Sequence, residues 1–244
     1  MKQTFLKPNV HEQKIDILFR YIPYEHAYEN VQNGVIHFSS PYSFNDIYDS
    51  LGVFQVDDFY DTMLSGKIGN DVINIIKHNG EIDKMNFDIS RITIYQFCCY
   101  IKSKDIFLCY NDISSYFRKY VGKVVLNQNL KVACFSEKND SLLMWAHYAG
   151  NFTGICVEYD LCKDEILKEN CTRVKYSTKK INNTKLETSF AKSSDWSYEK
   201  EWRLVCEKGN EDYIKTNSIS AIYLGANMLQ DNSFKLIALA KSKK

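Results

Sequence analysis

Residues 131–160, KVACFSEKNDSLLMWAHYAGNFTGICVEYD, hold two strand-like apolar runs with a dense polar and aromatic group between them. Val132, Cys134 and Phe135 open the stretch; Ile155, Cys156, Val157 and Tyr159 close it. Asp140 or Ser141 is placed to cap a short amphipathic turn running from Leu142 to Tyr148, because a side-chain oxygen there accepts from an amide with no helical partner. Gly150 and Gly154 bracket Asn151, Phe152 and Thr153 and permit the bend into the second strand. A strand, a helical turn, a bend and a strand together present side chains at the edge of a sheet. His147 and Tyr148 are the side chains so presented; the competing reading is core packing with satisfied polar tips.

Working outward, residues 16–21 read as a strand that alternates into Arg20. After Pro23, residues 24–33 have helical spacing through Ala27, Tyr28 and Val31 and stop at Gly34. A strand over 35–38 leads into the turn-rich 39–46, so Arg20, Ser39, Ser40, Asn45 and Asp46 stand at strand ends that can converge on one face. Beyond the central stretch we expect a helix at 163–170, a strand at 172–176, a loop at 177–184 and a helix at 186–193. Strands follow near 202–206 and at 219–224, and 234–240 reads as a strand or a terminal helix. Residues 57–120 contain short helical segments, an ambiguous run at 92–101 and no catalytic spacing. The pattern predicts an α+β protein, a bent mixed or antiparallel sheet surrounded by helices. It is read as a single domain over 1–244 with a mostly helical insertion at about 57–122.

Composition narrows the classes. A chain of 244 residues can bury one large core, and 17 Tyr and 14 Phe make that core aromatic. The formal net charge of +1 provides no global field for nucleic acid or an anionic membrane. A local basic patch from Lys175, Lys179, Lys180 and Lys185 competes with the reading of solvated loop lysines. No run has the length to span a bilayer, so no membrane partner is expected. The eight Cys are scattered without a Cys-x-x-Cys pair, and MKQTFLKPNVHEQK lacks the apolar core of a signal peptide. Reduced thiols and a cytoplasmic location are therefore expected. The spacing of Cys134, His147, Cys156, Cys162 and Cys171 matches no compact ligand set, and no metal is expected. There is neither a phosphate-binding glycine loop nor a dinucleotide fingerprint.

The run Tyr198-Glu199-Lys200-Glu201-Trp202-Arg203 carries the most chemistry. On a strand, Glu199 and Glu201 share a face. Paired carboxylates can divide labour, one stabilising positive charge on a ribose carbon and the other orienting or deprotonating an acceptor. The alternative is a charge ladder with Arg203.

An ordered set of motifs resembles a bacterial family, the domain-of-unknown-function family number 2971. The set comprises Phe19-Arg20-Tyr21, Gly34, Phe38-Ser39-Ser40-Pro41, Phe44-Asn45-Asp46, Cys134-Phe135-Ser136, Leu143-Met144-Trp145-Ala146-His147-Tyr148-Ala149, Gly154 and Trp196 to Arg203. A weaker similarity is to the ADP-ribosyltransferase superfamily. It implies an ADP-ribosyltransferase-like core and NAD as a consumed substrate. Arg20 would then hold the pyrophosphate, Ser39 or Ser40 the nicotinamide ribose, and Tyr21 or Tyr148 the nicotinamide ring. Glu201 would be the catalytic carboxylate with Glu199 beside it, and His147 and Tyr148 would complete the site. The acceptor would be water, a protein or a nucleic acid, in a phage-defence or toxin setting. A non-enzymatic protein-interaction or sensor module is the alternative, in which Trp145, Tyr148, Trp196 and Trp202 are packing or interface aromatics and Arg20, His147 and Glu201 lock a buried polar network.

Overall fold

The computed structural model describes residues 4–8, 15–44, 46, 49, 130–179, 185–207 and 212–243. The expected helical insertion at about 57–122 lies outside the described residues. The chain divides into two compact units. One comprises Met1–Ser39, Lys131–Tyr176 and Ser194–Lys244; the other comprises Ser40–Leu130 and Ser177–Ser193.

The first unit is α+β, as expected. In chain order the described strands are β1 (Phe5–Leu6), β2 (Ile17–Ile22), β3 (Val35–His37), β4 (Leu130–Ser136), β5 (Ile155–Asp160), β6 (Thr172–Arg173), β7 (Lys175–Ser177), β8 (Ala191–Ser193), β9 (Glu201–Glu207), β10 (Tyr213–Lys215) and β11 (Ile219–Leu224), of which β8 belongs to the second unit. The principal sheet runs β1-β9-β4-β2-β5-β11, with β6 also pairing with β9. Antiparallel registers set Arg20 opposite Val157, Ile222 opposite Val157 and Arg173 opposite Trp202. A two-stranded ribbon of β3 and β10 lies apart.

Helix α1 (Tyr24–Asn33) buries Ala27 and Val31 and ends where the sequence requires it to. Gly34 adopts φ 57°, a left-handed conformation that costs a residue without Cβ nothing, and its amide closes on the Asn30 carbonyl. Helix α2 (Leu142–Tyr148) is capped by Ser141, whose hydroxyl accepts from the Met144 amide at 3.4 Å. The bend after it is sharper than two glycines suggest. Gly150, Asn151 and Phe152 are all left-handed; the Asn151 and Phe152 amides donate to the α2 carbonyls of Ala146 and Trp145, and the Gly154 amide donates to the carbonyl of the C-cap Ala149. Helix α3 (Glu165–Asn170) starts on the Asp164 carboxylate. The segment at 186–193, expected to be helical, is instead the short helix α4 (Lys185–Thr188) followed by β8, both in the second unit. The open assignment at 234–240 resolves as the terminal helix α5 (Gln230–Ser242).

The period-two alternation of β2, β5 and β9 divides buried side chains between two faces. Leu18, Ile22, Ile155, Val157, Tyr159, Trp202, Leu204 and Cys206 build the main core with Phe135, Ile36 and Leu236. Tyr21 and Cys156 face the other way and pack with Met144, Trp145 and Ala149 of the α2 region.

Burial pushes the Tyr159 hydroxyl up to about 12 from the usual 10.0, against a smaller opposing pull from Arg20. A folded-state value raised above the unfolded one contributes stability that is fully present below pH 10 and is lost as pH rises through 12. The melting temperature is therefore expected to fall between about pH 10 and pH 12. Tyr159→Phe should flatten that slope in a calorimetric pH series, and an unchanged slope would remove Tyr159 as its cause.

Candidate functional site

The most chemically dense group lies where α2 meets the 3-10 turn Ser194–Glu199, both in the first unit. The Tyr148 hydroxyl donates to Glu199 Oε1 at 2.6 Å. One turn-face away, the Tyr198 hydroxyl and His147 Nδ1 are 3.3 Å apart. The Trp196 ring stands 6.5 Å from His147 and 6.0 Å from Tyr198, so the imidazole sits in an aromatic corner. Burial grades this group sharply. His147 is exposed, Tyr148, Trp196 and Tyr198 are half-buried, and Glu199 is 2 % exposed.

Local structure explains how the group is held. The Ser136 hydroxyl at the end of β4 donates to the Glu199 carbonyl at 2.6 Å, and the Glu137 amide donates to the Lys200 carbonyl at 3.1 Å. On the helix side, Trp145 Nε1 donates to the Asn139 carbonyl at 2.8 Å, and Phe152 stacks on the Trp145 ring at 6.3 Å and 10°. These contacts fix the azimuth of α2 and hence the direction of His147 and Tyr148.

Glu199 and Glu201 do not share a strand face. Lys200 has φ 47°, a left-handed residue that separates the 3-10 turn from β9 and breaks the alternation which the spacing alone suggests. Glu201 begins β9 and turns to its own strand neighbour. Its two carboxylate oxygens take Arg203 Nε at 2.7 Å and Nη2 at 3.0 Å, a bidentate pair with the arginine 0 % and the glutamate 3 % exposed. The Glu201 amide donates to the Tyr176 hydroxyl at 2.8 Å.

Arg20 is not brought to this group. It lies on β2 between Leu18 and Ile22, both in the main core, and its guanidinium stands 6.0 Å from the Phe135 ring centroid of the same core. Glu201 and Arg203 alternate with Trp202 and Leu204, which also point into that core. Arg20 and Glu201 therefore project from opposite faces of one sheet. Arg20 Nη2 donates to the His37 carbonyl at 2.6 Å, while Nη1 is buried with no hydrogen bond. Tyr21 points to the α2 side; its hydroxyl donates to the Lys138 carbonyl at 2.9 Å, its ring edge meets Trp145 at 5.3 Å, and burial, then the neighbouring Cys156, raise its ionisation well above the usual range. Ser39 bridges to Val132 through its backbone, and the Ser40 carbonyl, in the second unit, accepts from Ser43.

The sequence reading left Tyr198 out of the candidate site and gave Tyr176 no role beside Glu201. Tyr198 belongs to the same motif as the glutamates and was legible as an aromatic flank. Nothing local marks Tyr176, whose partner is 25 residues away. Among the described residues no three His, Cys, Asp or Glu side chains stand close enough to hold a metal ion, and no helix is long and apolar enough to cross a membrane. Cys156, Cys162 and Cys171 are free thiols.

Residues 144–204 match a family model described as a protein of unknown function, DUF2971. The match takes in His147, Tyr148, Glu199, Glu201 and Arg203; Arg20, Tyr21, Ser39 and Ser40 precede it. No curated protein and no solved structure matches the chain.

Proposed function

We propose that this chain is a non-enzymatic recognition module, whose contact surface is the aromatic corner of His147, Trp196 and Tyr198 and whose partner is a protein. The observation that supports this reading best is the state of Glu201. A carboxylate that stabilises a cationic ribose carbon has to present uncompensated negative charge to the ligand. Glu201 is instead sealed by the Arg203 fork, and Arg20 faces away from it across the sheet. The exposed groups are an imidazole and two half-buried aromatics, side chains that recognition surfaces favour.

One observation favours a second reading, NAD glycohydrolysis or ADP-ribosyl transfer in a toxin or phage-defence setting. Tyr148 and Glu199 form a short hydroxyl–carboxylate contact beside aromatic walls able to stack on nicotinamide. In that chemistry the carbon–nitrogen bond breaks with its electron pair going to nicotinamide, and water, a protein or a nucleic-acid base adds to the ribose carbon. The Glu199 carboxylate would balance the cationic carbon and take the proton of the incoming nucleophile. Arg20 would then have no part in holding the pyrophosphate.

Incubating the full chain with labelled NAD, with and without cell extract and nucleic acid, separates the two. The recognition reading expects no released nicotinamide and no transferred label. Nicotinamide release that disappears in Glu199→Gln, with the melting temperature kept, would overturn it in favour of the enzyme.

A further inference from the structure

We infer that helix α5 is a self-association surface that pairs antiparallel with α5 of a second copy of this chain. This inference concerns a surface separate from the aromatic corner and does not depend on the proposed function.

A terminal helix packed on one side of a core needs one apolar stripe. Helix α5 has two. Its core face is marked by Leu236, 1 % exposed, with the half-buried Leu239 and Ala240 beside it. On the other side Phe234 is 59 % and Ile237 40 % exposed, and the neighbouring Ala238 is exposed too. Residues 234, 237, 238 and 241 recur at the three- and four-residue intervals that define one helix face, with Asp231 three positions before Phe234.

The charges on this stripe choose the occupant. Asp231 sits in the first turn and Lys241 in the last. These two positions are ten residues apart, roughly 15 Å along the axis. A two-fold axis passing beside Leu236 sets Asp231 of each copy opposite Lys241 of the other, and Phe234 of each opposite Ala238 of the other. Large meets small and acid meets base, twice, from one sequence. That is the self-complementarity a two-fold interface requires. A parallel pairing would set Asp231 beside Asp231 and Lys241 beside Lys241, which like-charge repulsion disfavours.

The same two charges also suit the helix dipole, so the test has to separate the two roles. Sedimentation velocity of the full chain over a concentration series is expected to show a mass rising from 28.5 kDa toward its double. Phe234→Glu should hold the mass at one chain throughout, with helix content by circular dichroism unchanged. Asp231→Lys and Lys241→Asp should each weaken association about tenfold, because each converts two attractive contacts into repulsive ones. The double exchange Asp231→Lys with Lys241→Asp opposes the dipole yet rebuilds both intermolecular pairs, and should return association to within about threefold of the native chain. A mass of one chain at every concentration, association indifferent to Phe234→Glu, or a double exchange as weak as the single ones would each overturn the inference.

Discussion

Arg203→Ala is expected to lower stability by roughly 3–5 kcal/mol, the range for removing one partner of a buried ion pair. For a chain of this size that corresponds to a melting temperature lower by about 10 °C or more. The reason is the state left behind: the Glu201 carboxylate, 3 % exposed, loses the two donors at 2.7 and 3.0 Å that compensate its charge. The protein responds by protonating that carboxylate or admitting water, and both cost free energy. Removing both charges in Glu201→Leu with Arg203→Met should recover most of the loss, since a well-packed apolar pair is often neutral or better than a buried salt bridge. A single-variant melting temperature within a few degrees of native would mean that the pair contributes little, and would reopen Glu201 as a ligand-facing carboxylate.

Gly225→Ala is expected to cost about 3 kcal/mol, a large effect for a single methyl group. A Cβ at Gly225 would stand 2.1 Å from the Phe152 carbonyl oxygen and 2.9 Å from that of Gly154. Both contacts are with backbone, which cannot swing aside as a long side chain does. Retreat of the Phe152 carbonyl also breaks the bond it accepts from the Asn227 amide at 2.9 Å, and displaces the ring stacked on Trp145. The disturbance then reaches α2, so the variant should show altered tryptophan fluorescence as well as a lower melting temperature. Native melting with native fluorescence would show that the turn after β11 does not clamp the 150–154 bend.

The local grammar of the chain was readable wherever one residue type has one physical use. Gly34 ends α1 because few other residues adopt its left-handed angle cheaply, and Ser141 caps α2 because its hydroxyl reaches an amide that has no carbonyl within the helix. The runs read as strands at 16–21, from Ile155 to Tyr159 and at 219–224 became the central and edge strands with little change in bounds. The two-residue strand β1 and the three-residue β10 were not legible, since runs so short carry no periodicity and exist only because β9 and β3 offer them hydrogen bonds.

The candidate site divides in the same way. Sequence by itself determined that His147 and Tyr148 stand together on one helical turn, and that two glutamates and an arginine follow each other within five residues. The pairing of Glu201 with Arg203, two residues on along the same strand, is the charge ladder that the spacing already offered. Only the tertiary structure decided the partner of Glu199: the left-handed Lys200 separates it from β9, and it meets Tyr148, 51 residues away in the chain. Strand alternation specifies that Arg20 leaves β2 opposite to Tyr21, but which of those faces becomes core is settled by the whole sheet. Phe135, Trp202 and Leu204 claim one side, and α2 with its stacked aromatics claims the other. Local propensity acts through bonds a few residues apart, whereas the choice of face is made by the total apolar area buried across strands far apart in the chain.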